Sequence, residues 1–223
     1  MLDNITKGHE ESLDNPGIAS EPLPKTEAQN PPADGNTLFV FRHGQTHHNI
    51  NKIFCGRHDS KLTEEGIKQG MELALRMKDK KIDLGIYSNL SRAKDTLDLV
   101  FEYHPGTPQE ASDTLLERDY GDLTNTSKAE LNNKNPELTQ KYRRSWDFPP
   151  PNGESLKMVW EGRVKKFCED IEDRIREEKI NIAVSCTNNT MRLIRMHFEK
   201  LSIEEMLSIE NPTAQDYAAY LIR

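Results

Sequence analysis

Residues 37–46 read TLFVFRHGQT. The first half is a short apolar run with no polar alternation, the pattern of a central strand buried on both faces. The second half turns abruptly to an arginine, an imidazole and a glycine. A strand that breaks into such a loop is the unit from which α/β proteins build their sites. The unit recurs twice: IDLGIYS (82–88) breaks into NLSRA (89–93), and INIAVS (180–185) breaks into CTNNT (186–190).

Helical patterns fill the spaces between. LTEEGIKQGMELALRMKDKK (62–81) opens with Thr63 as a candidate N-cap and brings Ile67, Met71, Ala74 and Leu75 to one face. LSRAKDTLDLVFEY (90–103) turns Leu97, Val100 and Phe101 inward. Residues 155–177 read as one long helix with Val164, Phe167, Ile171 and Ile175 buried, and 190–201 as the next. The stretch 104–153 reads as loop-rich. Strands alternating with helices predict an α/β fold, a three-layer αβα sandwich around a mostly parallel central sheet. Residues 1–36 differ: they hold five of the 12 prolines and no aromatic residue. They read as a disordered N-terminal tail, too poor in apolar surface to offset the entropy of ordering it. Residues 37–223 are left as one domain.

Bulk composition narrows the function. Lys and Arg total 30 against 37 Asp and Glu, a formal charge of −7, which argues against nucleic acid as a partner. No apolar stretch approaches the ~20 residues that span a bilayer, so no membrane partner is expected. The N-terminus lacks the apolar core of a signal peptide. Cys55, Cys168 and Cys186 are odd in number and lack metal-ligand spacing, as in a reduced cytoplasmic protein that binds no metal.

Each loop offers chemistry. Arg42 and His43 end the first strand, and Gly44 permits close backbone approach. A neutral imidazole is a competent nucleophile, and a guanidinium fork matches phosphate oxygens. Phosphoryl transfer needs little more than positioning and charge stabilisation. Arg92 opens the helix after the second strand, where helix N–H groups add donors. Glu117 in LLERDYG (115–121) could act as general acid, provided burial raises its pKa.

Taken together, RHGQT (42–46), FCGR (54–57) with DSKLTEEG (59–66), YSNLSRAKDT (87–96) and LLERDYG resemble the histidine phosphatase superfamily, from Thr37 to the C-terminus. Within it they are most like the cofactor-dependent phosphoglycerate mutases. KYRRSWDFPPPNGESL (141–156) and HFEKLSIEEMLSIENPT (197–213) resemble segments of those enzymes. The resemblance implies that His43 is the phosphorylated nucleophile, that Arg42 and Arg92 hold its phosphoryl group, and that Glu117 gives and takes the proton. Asn49 would touch the same phosphate. Cys55 and Gly56 would line the substrate carboxylate. Tyr120, Lys128, Arg143 and Arg144 would hold the far end of a small phosphorylated substrate, with 2,3-bisphosphoglycerate as primer and no metal. Family members are often dimers or tetramers; a homodimer would fit, but this sequence does not decide it.

One element departs from the pattern. The family carries a second histidine in His-Gly-Asn-Ser/Thr-x-Arg after the last core strand. Aligned on Asn189, Thr190, Met191 and Arg192, that histidine is Thr187 and the glycine is Asn188. Thr187 can donate once, from a shorter and neutral group. Asn188 either narrows the pocket or supplies the lost donor. His47, His48 and His58 are the other imidazoles near enough in sequence to substitute. Losing one preorganised donor costs about 10²–10³ in rate. Arg57 and Asp119 replace a usual tryptophan and histidine, and PPPNGESL lacks the long insertion of larger mutases. Three activities remain open: a slowed phosphoglycerate mutase, a phosphomonoesterase, and a degenerate member that only binds.

Overall fold

The computed structural model describes Leu23 and residues 36–223. The expected tail, residues 1–36, lies outside the described residues except for Leu23 and Asn36. Leu23 is packed into the core, and its N–H donates to Asp216 Oδ2 at 2.9 Å.

Five strands form one sheet: β1 (Asn36–Arg42), β2 (Leu84–Ser88), β3 (Gln109–Ser112), β4 (Ile182–Cys186) and β5 (Ala218–Ile222), in the order β3-β2-β4-β1-β5. β1 runs parallel to β4, β4 to β2 and β2 to β3, while β5 closes one edge antiparallel to β1. β1 is central and buried on both faces. Leu38 and Val40 join the cluster on one side, and Phe39 and Phe41 the cluster on the other. A fully buried residue of this kind stabilises by about 1.5–3 kcal/mol. Helix propensities differ by under about 1 kcal/mol, so β1 and its neighbours outweigh local preference in setting the fold.

α2 (Glu64–Met77) and α3 (Ser91–Phe101) cover the face carrying Phe39 and Phe41. α6 (Leu156–Val159), α7 (Lys165–Glu178) and α8 (Asn188–Glu199) cover the other. The fold is thus the expected three-layer sandwich. α1 (His47–Ile50) and α9 (Ile203–Ser208) are short connectors.

Several local expectations are corrected. Thr63 does cap α2, accepting from Gly66 N at 3.0 Å. Yet Ile67, Met71 and Leu75 lie on its exposed side, and the buried stripe is Gln69, Leu73, Met77 and the small residues Gly66, Gly70 and Ala74. The reason is close approach: a Cβ on Gly66 would stand 2.0 Å from Gln45 O, and one on Gly44 would stand 2.4 Å from Gly66 O. Small side chains mark the contact face because backbone meets backbone there.

The stretch 104–153 is not simply loop. It holds β3 and the helices α4 (Lys128–Lys134) and α5 (Pro136–Arg144). β3 is a polar edge strand, and α4 and α5 bury almost nothing, so neither has an apolar period to read. The helix expected over 155–177 runs over 156–178, capped by Ser155 and interrupted by a π turn at Trp160–Val164. α8 begins at Asn188, earlier than the expected 190, which puts Asn188 and Asn189 in its first turn.

Candidate active site

The C-terminal ends of β1, β2, β3 and β4 all open into one cavity. Every expected site residue except Thr187 lines it: Arg42, His43 and Asn49 after β1, Cys55 and Gly56 in the following loop, Arg92 at the start of α3, Glu117 and Tyr120 after β3, Lys128, Arg143 and Arg144 on α4 and α5, and Asn188 and Asn189 on α8. Arg192 also lines it, one helical turn beyond Asn188. Arg192 was not among the expected site residues; its spacing of four from Asn188, which puts both on one helix face, is the signal in the chain.

His43 is buried, and its Nδ1 stands 2.7 Å from Gly44 O. A carbonyl only accepts, so Nδ1 carries the proton and Nε2 holds the lone pair. Burial, then Arg92, then Arg42 hold the imidazole pKa well below its ordinary value. The imidazole is therefore neutral at neutral pH. Stability follows with a defined sign. The unfolded chain takes up a proton near pH ~6.5, while folded His43 does so only well below that. Stability present above the unfolded value is lost as pH falls beneath it. The melting temperature of wild type minus that of His43→Gln should shrink on acidification from about pH 7.5 to about pH 5. A difference that stays constant over that range would contradict this protonation state.

Arg92 is 2% exposed and reaches across the site, donating from Nη1 to His58 O at 2.9 Å and from Nη2 to Gly56 O at 2.8 Å. Arg42 donates from Nη1 to Asn211 O at 2.9 Å, while its buried Nε has no protein acceptor. Glu117 accepts from Arg118 N at 2.7 Å on one oxygen and, more loosely, from Asn189 N at 3.4 Å on the other. Burial pushes the Cys55 thiol up from its usual pKa, and its Sγ–H donates to His58 O, so it is a neutral wall rather than a nucleophile.

The π turn explains a residue that the sequence did not single out. It carries Arg163, which donates to Glu154 Oε1 at 2.7 Å and from Nη2 to the backbone oxygens of Leu116 and Glu117 at 3.3 and 3.2 Å. Arg163 thus fixes the backbone from which Glu117 projects. π turns recur at functional sites for such reasons.

Thr187 is fully buried and absent from the cavity wall. Its Oγ1 donates to Thr190 Oγ1 at 3.1 Å, and Thr190 donates to Leu116 O at 3.1 Å. The hydroxyl expected as a weak substitute for the second histidine is committed to that chain. The neighbouring imidazoles do not fill the gap either. His48 is bound through Nδ1 to Ser60 Oγ and through Nε2 to Asn125 Oδ1, and His47, His48 and His58 lie outside the cavity lining.

Six cations, Arg42, Arg92, Lys128, Arg143, Arg144 and Arg192, face one lining carboxylate, Glu117. Glu210 pairs with both Arg144 and Arg192, the latter at 2.8 Å. A lining in which cationic side chains outnumber carboxylates suits an anion. Among the described residues no three His, Cys, Asp or Glu side chains are grouped to hold a metal, and no helix is long and apolar enough to cross a membrane.

The strand ends bring an imidazole, two guanidinium groups and a carboxyl into one cavity, a set of groups suited to phosphoryl transfer. The chain belongs to the histidine phosphatase superfamily (branch 1), whose family profile matches residues 38–219. It is 35% identical over 183 residues to a 2,3-bisphosphoglycerate-dependent phosphoglycerate mutase of Parvibaculum lavamentivorans, covering 80% of this chain and 87% of that one. Among solved structures, alpha-ribazole phosphatase of Shigella flexneri superposes with a TM-score of 0.72 at 23% identity, covering 83% of this chain and 92% of that one. Phosphoglycerate mutase of Bacillus anthracis superposes with a TM-score of 0.68 at 22% identity, covering 82% and 92%.

Proposed function

We propose that the protein is a phosphoglycerate mutase that works through a phosphohistidine on His43 and is slowed by the loss of the second histidine. One observation carries this reading: cations from two separate parts of the fold line one cavity. Arg42 and Arg92 come from strand ends together with His43, and Lys128, Arg143 and Arg144 come from α4 and α5. A substrate that carries a carboxylate or second phosphate besides the transferred phosphate can use both groups; a monophosphate of an otherwise uncharged alcohol needs only one. 2,3-Bisphosphoglycerate carries the charge for both and would prime the site. His43 Nε2 takes the phosphoryl group as the P–O bond breaks and the P–N bond forms, and Glu117, entering the step as the protonated carboxyl, gives its proton to the departing oxygen and is left as a carboxylate. The relative from P. lavamentivorans supports the reading, since it carries the mutase name and is matched along 87% of its length.

A phosphomonoesterase reading is favoured by one feature, the direct return from α5 to α6 through Ser145–Ser155 with no inserted element over the cavity. Incomplete closure admits water to the phosphohistidine. The two separate in one experiment. The pure protein is incubated with 2,3-bisphosphoglycerate at neutral to alkaline pH and its intact mass is taken; 3-phosphoglycerate is then added. A mutase gains one phosphoryl group and makes 2-phosphoglycerate only after priming. A phosphatase releases inorganic phosphate from several esters with no dependence on primer. Absence of both adduct and turnover would overturn the proposal.

A further inference from the structure

The second histidine is gone and Thr187 does not reach the cavity, yet the loop still presents a donor. We propose that the Nδ2 amide of Asn188 binds an equatorial oxygen of the transferring phosphoryl group, in the role a second histidine would have. The inference rests on the reading of His43 as the phosphoryl acceptor.

The orientation of the amide is determined by its neighbours. Asn211 Oδ1 accepts from Arg195 Nη1 at 2.9 Å, and a guanidinium can only donate. The other end of Asn211 is therefore its NH₂. That group donates to the backbone oxygen of Asn188 at 3.2 Å and to its side-chain Oδ1 at 3.1 Å. The atom of Asn188 facing Asn211 must accept, so its NH₂ is at the opposite end. Among the described residues none accepts from Asn188 Nδ2. The side chain lines the same cavity as His43, Arg42 and Arg92.

The donor is also preorganised. Arg195 is held by Glu199 at 2.8 and 3.2 Å, and Asn211 is 2% exposed. The backbone oxygen of Asn211 accepts from Arg42 Nη1 at 2.9 Å. One buried asparagine thus sets both a cation beside the nucleophile and the Asn188 amide. Donors held rigidly before the charge develops stabilise a transition state most. A neutral amide gives a weaker bond than an imidazolium, so the site remains slower than one with two histidines.

The test uses inorganic orthovanadate, a five-coordinate phosphoryl mimic, read by its dissociation constant, together with the rate of His43 phosphorylation by 2,3-bisphosphoglycerate. Asn188→Gly should weaken vanadate binding by about tenfold or more and slow phosphorylation by about 10²-fold. Asn188→Asp should do more damage than Gly, because it replaces a donor with a negative charge. Asn211→Ala keeps the backbone oxygen for Arg42 while it frees the Asn188 amide and removes the acceptor of Arg195 Nη1, which Glu199 still holds, so it should lose several-fold, and it keeps the test open if the Asn188 variants fold poorly. Vanadate affinity unchanged in Asn188→Gly overturns the inference. Wild type that binds vanadate but takes no phosphoryl group overturns the functional reading instead, while the vanadate constants still score Asn188. Wild type that binds no vanadate overturns both.

Discussion

His43→Ala should abolish covalent phosphorylation and lower phosphoryl-transfer turnover by about 10⁶-fold, the scale on which covalent catalysis collapses when its nucleophile is removed. The size of the effect follows from the geometry. His43 is the one imidazole lining the cavity among the described residues. Its tautomer is set by Gly44 O, and burial with Arg92 and Arg42 keeps the ring uncharged, with Nε2 free of a proton. Cys55, a further group of nucleophilic type on the wall, is held as a neutral thiol. Intact mass after exposure to 2,3-bisphosphoglycerate, with single-turnover rates on the same samples, measures both quantities. An adduct that persists in His43→Ala would place the chemistry on another residue and sink the assignment.

Arg92→Ala should cost the next most, about 10³-fold or more in turnover, because the change removes three things at once. It takes away a guanidinium beside the phosphoryl group. It leaves the buried Gly56 oxygen without its guanidinium donor and the His58 oxygen with only the Cys55 thiol, and hydrogen bonds to charged groups are worth about 1.5–3 kcal/mol each. It also removes a cation that depresses the His43 pKa. The last effect has a separate signature. The acid limb of the pH–rate profile should move up, toward the ordinary imidazole value, in Arg92→Ala. Rates taken on folded protein across pH separate this shift from a loss of stability. An acid limb that stays in place would show that Arg92 does not set the protonation of His43.

Much of this was legible along the chain. β1, β2 and β4 are continuous apolar runs, and burial on both faces leaves no other composition for them. Arg42, His43, Arg92 and Glu117 could be found because strand ends are where α/β sheets place their chemistry, and all four line one cavity. The edge elements were not legible. β3 is exposed along most of its length and carries no apolar signal. α4 and α5 present polar residues both to solvent and to the cavity. The buried face of α2 was misread because contact through glycines replaces bulk with proximity.

By itself the sequence determined the alternation of strands and helices, the imidazole and guanidinium groups at the strand ends and the absence of a second histidine after the last core strand. Those properties depend on residue type and short-range order, which are written along the chain. Only the tertiary structure decided which groups inherit the missing role. Thr187 and Asn188 are adjacent and both polar. Thr187 turns to Thr190 and supports the backbone behind Glu117, whereas Asn188 is clamped by Asn211, 23 residues away, and faces the site. A hydrogen bond is a property of two groups brought together, and no local pattern records where the second one comes from.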